Sequence, residues 1–150
     1  MVAGTFIKST PLLNDTYFEG TVIYITEYDN EGAVGFVVNS PFERKLNELV
    51  EFKHIIPFAL YEGGPVDTEH LFFIHRTPGL ITGGTLIANN VYVSGDFAQA
   101  VKLINSFTIT AKDIKLFIGY CGWNGTELDE EIAEGSWEVL PPELANVYLF

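Results

Sequence analysis

The chain has 150 residues, of which 47% are hydrophobic and 19% are charged, with 14 Gly and 7 Pro. These values are typical of one globular domain and exclude a disordered linker. Twenty Asp and Glu against eight Lys and Arg give a net charge of −12, whereas proteins that bind nucleic acid need basic surface to displace the counterions of the phosphates. Only Arg44 and Lys45 are adjacent cations, so direct DNA binding is not expected.

The sequence also points to a cellular compartment. Cys121 is the only cysteine, so an intramolecular disulfide and a four-cysteine zinc site are excluded. The first ten residues lack the charged start and apolar block of a secretory signal. Apolar runs such as residues 71–74 are far shorter than the roughly 20 residues of a membrane helix. We expect a protein of the reducing cytoplasm that does not enter a membrane.

The first half of the chain predicts a hairpin and a helix. Residues 21–28 and 33–38 are β-branched and aromatic, and the Asp-Asn-Glu-Gly sequence between them is good turn chemistry. Ser40 followed by Pro41 is typical of a helix N-terminus. An amphipathic helix is therefore predicted over residues 41–52, with an apolar face made of Phe42, Leu46, Leu49 and Val50.

The middle of the chain predicts three elements. Residues 70–75 read as a buried strand after the turn at residues 62–66. Residues 85–94 form two short strand-like pieces around Asn89-Asn90, which indicates a second hairpin. Ser94 is the predicted cap of a second helix, whose apolar stripe is Phe97, Ala98, Val101 and Ile104.

The last part of the chain predicts a strand that leads directly into a helix. Residues 115–120 form the strand and residues 128–134 the helix, with Gly135 placed to end it. Such junctions often hold a ligand because they combine free backbone N–H groups with a rigid support. Strands and short helices mix along the chain without regular alternation, so the predicted fold class is α+β.

Three motif blocks occur in order along the sequence. They are Pro11-x-Leu13-x-Asp15-x-x-Phe18 leading to Asn39-Ser40-Pro41, then Gly63-Gly64-Pro65-Val66 followed by His75, then Gly119-Tyr120-x-Gly122-Trp123 running into Leu128-Asp129-x-Glu131-Ile132 and Trp137. On these blocks the chain closely resembles the AlgH/YqgE family of bacterial proteins. Relatives have a different small residue at the position of Cys121, which argues against an essential thiol.

The resemblance implies a single compact α+β domain over residues 1–150. It implies a mixed, strongly bent, barrel-like sheet flanked by about three short helices, without the extra carboxy-terminal helical segment that many relatives carry. The family is often labelled a transcriptional regulator. Because the sequence has no helix-turn-helix with a basic recognition helix, regulation would act through protein partners.

If the three blocks meet in the fold, they bring together a set of candidate ligand-binding residues. The set is Asp15, Asn39, Gly63, Gly64, His75, Tyr120, Trp123, Asp129 and Glu131. Each also has a structural interpretation. The glycine pair can be a plain turn, because no phosphate-loop pattern surrounds it, and the acids near residue 129 can be a solvated face that suits the helix dipole.

The remaining alternatives concern individual residues. Asp15 can be a turn cap or a polar anchor, and Asp129 or Glu131 can turn inward to hold the segment of Trp123 or to contact a ligand. Trp123 and Trp137 are expected to pack the helix onto the sheet.

No catalytic residue, metal site or cofactor is predicted. His70 and His75 are five residues apart, which on a strand places them on opposite faces, and no sequence argument brings His75 to Cys121 as a base for a thiol nucleophile. Two hypotheses remain. The first is a non-catalytic regulatory or protein-binding module for a partner with basic surface, and the second is a small-molecule-binding protein or enzyme with a pocket near the Gly63-Gly64 turn and residues 119–131.

Overall fold

β-Branched and aromatic segments separated by turns build one large sheet in the computed structural model, which describes residues 1–141, 143 and 145–150. Within this part of the chain the strands are β1 (Phe6–Ser9), β2 (Val22–Asp29), β3 (Gly32–Val37), β4 (Leu60–Glu62), β5 (Val66–His75), β6 (Thr85–Ala88), β7 (Val91–Val93), β8 (Ile114–Asn124) and β9 (Trp137–Val139). The α-helices are α1 (Phe97–Asn105) and α2 (Glu127–Ala133). A single helical turn, Ala145–Tyr148, follows β9.

The sheet is open. Its strand order is β6-β7-β5-β8-β3-β2-β1-β9, and β4 pairs with β8 off this path. The β4–β8 pair is parallel and the other pairs are antiparallel, so the sheet is mixed as predicted. In the described residues the end strands β6 and β9 are not paired with each other, and the expected barrel-like closure is therefore not found.

Strand β4 divides the sheet at its centre. Gly35 of β3 pairs directly with Cys121 of β8. Further along, Gly63 lies between the two strands, because its carbonyl accepts from the Val37 N–H at 2.8 Å and its own N–H donates to the Ile118 carbonyl at 2.8 Å. The sheet thus forks at this point, with β3 and β8 in contact on one side of the fork and β4 inserted on the other.

Each helix covers a separate hydrophobic cluster. Helix α2 packs on β1, β2, β3 and β8 through Leu128, whose cluster includes Ile23, Ile25 and both tryptophans. Helix α1 buries Ala100 and Ile104 in a second cluster. A third cluster, which includes Phe6, Tyr24, Phe36, Ile74 and Phe117, lies away from both helices. Both helices are therefore held mainly by apolar burial.

The predicted helix over residues 41–52 is wrong. Pro41 forms a bridge with Tyr61, and the Phe42 N–H donates to the Leu60 carbonyl. Two short 3-10 turns, Leu46–Glu48 and Val50–Phe52, follow instead. Pairing with β4 uses the backbone groups at the expected helix start, so a tertiary contact overrides the local capping signal.

The other predicted elements are found with shifted ends. The Asn89-Asn90 hairpin is confirmed, with φ of 43° and 64° at the two turn residues, as a tight hairpin turn requires. Helix α1 is capped by Asp96, which accepts from the Gln99 N–H at 3.1 Å, and not by Ser94. Strand β8 continues to Asn124, beyond its predicted end. Of about three predicted helices, α1 and α2 are confirmed.

Candidate functional site

The junction between β8 and α2 is built as the sequence predicted, a strand that leads into a helix. Strand β8 ends at Asn124, whose N–H donates to the Glu127 carboxylate at 3.0 Å. Gly125 has a φ of 52°, and its N–H donates to the Glu31 carbonyl at 2.8 Å. The turn is thus fastened to the helix on one side and to the β2–β3 turn on the other.

Glu131 turns inward and joins two tryptophans. Its Oε1 atom accepts from the Trp123 indole N–H at 3.3 Å and from the Trp137 indole N–H at 2.9 Å. The two rings meet edge to face with 6.3 Å between centroids, and both are buried. The tryptophans therefore pack α2 onto the sheet, as expected, and one carboxylate satisfies both of their polar atoms.

Asp129 makes a second polar contact between α2 and the sheet. Its carboxylate accepts a hydrogen bond from the Tyr28 hydroxyl at the end of β2. This hydrogen bond raises the pKa of Tyr28 above its usual value, because it stabilises the protonated phenol. Asp129 and Glu131 thus fix opposite sides of the same helix.

Removing the Glu131 carboxylate should destabilise the protein. Glu131→Ala leaves two buried indole N–H groups without their acceptor, and we expect a loss of about 2 kcal/mol in the free energy of unfolding. Urea denaturation followed by circular dichroism measures it. Glu134→Ala is the matched control, because Glu134 is exposed directly after the same helix, and we expect a change within about 0.5 kcal/mol. Equal losses in the two variants would contradict the role given to Glu131.

The Gly63-Gly64 turn lies at the fork of the sheet and is closely packed. A Cβ atom at Gly64 would be 2.1 Å from the Tyr120 carbonyl carbon, and one at Gly63 would be 2.5 Å from the Gly119 oxygen. Both glycines are therefore needed for close approach of two backbones. The structural interpretation of the turn accounts for this geometry without a ligand.

Two further candidate residues lie near the start of β2. Asp15 precedes this strand in the sequence, and Asn39 follows β3 and contacts Val22. The Asn39 side chain accepts from the Val22 N–H at 2.9 Å and donates to the Gly20 carbonyl at 3.0 Å, which ties the start of β2 to the end of β3. Asp15 is exposed with a φ of 65°. Among the described residues its carboxylate makes no hydrogen bond, so the expected capping contact is not found, and a role as a polar anchor stays a prediction.

His75 lies far from the rest of the candidate set. It is fully buried, with Nε2 3.1 Å from the Ser94 carbonyl and Nδ1 accepting from the Thr77 N–H at 3.2 Å. Burial lowers the pKa of His75, partly offset by the Ser94 carbonyl. His75 pairs with Ile114, and seven residues of strand separate Ile114 from Cys121, roughly 23 Å. His75 is therefore no base for that thiol.

Cys121 itself is a buried core residue. It is 1% exposed, and its Sγ lies 3.4 Å from the Gly63 carbonyl. Burial raises the pKa of the Cys121 thiol to about 12. The thiolate needed for nucleophilic attack is therefore strongly disfavoured.

Six of the nine candidate residues form two groups, and Asp15, Asn39 and His75 lie outside these groups. Trp123, Asp129 and Glu131 meet at α2, whereas Gly63, Gly64 and Tyr120 meet at the fork. The exposed segment with Asp15 approaches the fork, because the Tyr17 hydroxyl is 3.3 Å from the Glu62 carboxylate. His75 stands apart. Ligand binding by this set stays a prediction.

Sequence reasoning missed Lys115. Its side chain is only 9% exposed, and its Nζ donates to the carbonyls of Val38 at 2.7 Å and Tyr148 at 2.9 Å. Burial lowers the pKa of Lys115 from 10.5 to about 8. Its position in the sequence could have indicated this burial, because Lys115 lies between Ile114 and Leu116 in an apolar run. Lysines are rarely buried unless they have a partner.

Two cavities lie away from both groups. An open groove of about 690 Å³ runs beside α1 and is lined by Phe52, Ile55, Phe97 and Val101, among others. A cavity of about 260 Å³ adjoins Lys115 and Tyr61. In residues 1–141, 143 and 145–150, no three His, Cys, Asp or Glu side chains group as metal ligands do, and no helix is long and apolar enough to cross a membrane.

The sequence and the fold both match known proteins. Residues 6–148 match a family model described as AlgH-like. A UPF0301 protein of Bacteroides fragilis is 35% identical over 147 residues, which cover 97% of this chain and 74% of the relative. A UPF0301 protein of Chlorobium limicola is 34% identical over 134 residues, which cover 89% of this chain and 72% of the relative.

Two solved structures have a similar fold. The solution structure of the AlgH protein from Pseudomonas aeruginosa has a TM-score of 0.74 and 28% identity, covering 96% of this chain and 79% of that one. The crystal structure of the protein DIP2367 from Corynebacterium diphtheriae has a TM-score of 0.76, covering 94% of this chain and 76% of that one. At 21% identity, the second likeness concerns the fold alone.

Proposed function

The chain belongs to the AlgH-like family, and from that premise we propose that it is a non-catalytic regulatory or protein-binding module of the cytoplasm that binds a partner with basic surface. Any role in transcription would run through that partner, since the net charge of −12 opposes direct contact with DNA. The observation that carries the proposal is an uneven distribution of charge.

The segments around α2 carry many acids, and residues 9–43 and 116–150 contain no Lys or Arg. We call the surface that these acids form the acidic face, and its exposed members are Asp15, Glu19, Asp29, Glu31, Glu127, Asp129, Glu130 and Glu134. Five of the eight Lys and Arg residues of the chain lie instead in residues 44–53 and 102–112. Such an acidic surface attracts a basic partner and speeds their encounter.

Contacts hold the acidic face together. The β2–β3 turn is fastened to α2 by the Gly125–Glu31 and Tyr28–Asp129 hydrogen bonds. The segment before β2 meets the other end of α2, where the Thr10 hydroxyl donates to the Gly135 carbonyl at 2.6 Å. Leu12, 65% exposed, adds apolar surface beside the acids, as an interface core needs.

The alternative, a small-molecule site near the Gly63-Gly64 turn and residues 119–131, has less support. The glycines are in close contact with the Tyr120 and Gly119 backbone, and the two cavities described above lie elsewhere.

Neutralising the acidic face should weaken binding to a basic probe. The triple variant Asp15→Asn, Glu31→Gln and Glu134→Gln removes three exposed acids whose side chains make no hydrogen bond in the described residues. The probe is a fluorescent peptide of alternating Lys and Ala, titrated at low salt and followed by anisotropy. We expect binding to weaken by about fivefold, since each exposed charge pair contributes a few tenths of a kcal/mol.

The matched control is Glu43→Gln, Glu51→Gln and Glu69→Gln. It changes the net charge by the same three units, from −12 to −9, at exposed positions outside the acidic face. An equal loss of affinity in both triple variants would show that only total charge matters and would contradict a dedicated face.

A crosslinking experiment tests the function itself. Glu130 is replaced by a photoreactive amino acid, and the protein is expressed in bacterial cells. Irradiation should then give a covalent adduct with a protein that has a basic surface patch. The adduct should disappear when the photoreactive residue is combined with the triple variant of the acidic face, and it should persist with the control triple variant. A photoreactive residue at position 69 should not give this adduct. No adduct from position 130, or an adduct that neither variant changes, would refute the proposal.

A further inference from the structure

Lys115 is a buried amine that has no acidic partner among the described residues. It lies on β8 among the third cluster, with its Nζ 4.0 Å from the centroid of the Tyr61 ring. In the described part of the chain, no carboxylate oxygen lies within 4 Å of this nitrogen. The one close pair of an acidic and a basic side chain there is Asp67 with His70. Buried lysines normally have such a partner.

The amine adjoins a space that a small molecule can occupy. The cavity of about 260 Å³ is lined by Lys115, Phe58, Tyr61, Ala111 and Ile114, and by Tyr148 with its neighbours. Its walls are thus aromatic and aliphatic with one amine. It is smaller than the roughly 300–1,000 Å³ of pockets for drug-sized ligands, so a short molecule fits it best.

We propose that Lys115 and this cavity form a binding site for a short-chain aldehyde or ketone, which Lys115 holds covalently as an imine. A lysine desolvated in apolar surroundings is the usual form of an amine that reacts with carbonyl compounds. The site goes beyond the proposed protein-binding function and is independent of it.

The chemistry is a condensation that needs no oxidant. The ammonium first loses a proton to solvent, and burial favours this loss because the charged form is poorly solvated. The nitrogen lone pair then forms a bond to the carbonyl carbon as the C=O π bond breaks, and one proton passes from the nitrogen to the oxygen to give a carbinolamine. Loss of water breaks the C–O bond and leaves a C=N bond.

The two carbonyl acceptors limit how strongly the site holds its ligand. The amine donates to Val38 and Tyr148 in the free protein, and a neutral imine donates to neither. A protonated imine keeps one N–H for one of them. We therefore expect reversible binding, which a chemical reductant can trap.

Butanal with sodium cyanoborohydride tests the site on the full chain at pH 7. The reductant supplies hydride to the C=N carbon and converts the imine to a stable secondary amine. Digestion and mass spectrometry then give the labelling rate of each lysine. We expect Lys115 to be labelled at least tenfold faster than the exposed lysines Lys8, Lys45, Lys53, Lys102 and Lys112.

Filling the cavity provides the matched variants. Ala111→Leu places a larger side chain on the cavity wall and should reduce the labelling of Lys115 about tenfold, without changing the other lysines. Ala98→Leu makes the same change in the groove beside α1 and should leave Lys115 labelling unchanged. Labelling of Lys115 no faster than that of exposed lysines, or a preference that Ala111→Leu leaves intact, would overturn the proposal.

Discussion

Gly64→Ala should destabilise the protein by about 3 kcal/mol or more, because the added methyl group has no space at the fork of the sheet. It would lie 2.1 Å from the Tyr120 carbonyl carbon and 2.2 Å from its oxygen. These are backbone atoms of the long strand β8, so relief requires β4 or β8 to move. Urea denaturation followed by circular dichroism measures the loss, and failure to yield folded protein is the extreme form of the same result.

Gly79→Ala is the control for this effect. Apart from Gly79 and its two neighbours in sequence, no heavy atom of the described residues lies within 4 Å of a Cβ built at Gly79, and its φ is not positive. We expect a change within about 0.5 kcal/mol, or a slight gain from reduced freedom of the unfolded chain. A Gly64→Ala protein as stable as Gly79→Ala would show that the fork is less closely packed than described.

Lys115 should make stability rise with pH in the alkaline range. Its pKa is lowered by burial from 10.5 to about 8 in the folded protein. Below pH 8 the buried charge opposes folding, whereas between pH 8 and 10.5 the unfolded chain binds more protons than the folded one. The contribution of Lys115 to stability therefore increases with pH in this window, and between pH 7.5 and 10 we expect this contribution to grow by an amount on the order of 2 kcal/mol.

Comparison with Lys115→Met isolates the contribution of Lys115 to the pH dependence of the free energy of unfolding. The variant keeps the other titrating groups, including Tyr24, whose pKa burial raises to about 12. Unfolding free energies of both proteins are measured by urea denaturation at each pH, and this contribution is the difference between them. Lys112→Met, at an exposed position, should follow the wild-type curve. Parallel curves for wild type and Lys115→Met would refute the lowered pKa.

Local signals in the sequence predicted much of the fold correctly. The Asp-Asn-Glu-Gly and Asn89-Asn90 turns are short-range features, and both hairpins are found where they were expected. The junction from β8 to α2 was also predicted, because the change from an apolar run to an acidic helix is visible within a few residues. Packing of Trp123 and Trp137 followed from their size and apolar character.

Long-range contacts explain the failures. Ser40 followed by Pro41 indicated a helix, but the Glu62 N–H donates to the Ser40 carbonyl at 2.8 Å, in the pairing with β4. The inward turn of Glu131 was one of two alternatives, because spacing alone does not show where a helix meets its neighbours. The burial of Lys115 depends on Val38 and Tyr148, which are distant in sequence.

The place of β8 in the sheet limits when the fold can form during synthesis. Strands β3, β4 and β5 all hydrogen-bond to β8, although they precede it by many residues. A ribosome must therefore deliver the chain as far as Asn124 before all three strands have their contacts with β8, although β3 can already pair with β2 and β5 with β7. Until then the strand edges that face β8 stay unpaired, and we expect folding to be slow for a domain of this length and to wait for the synthesis of β8.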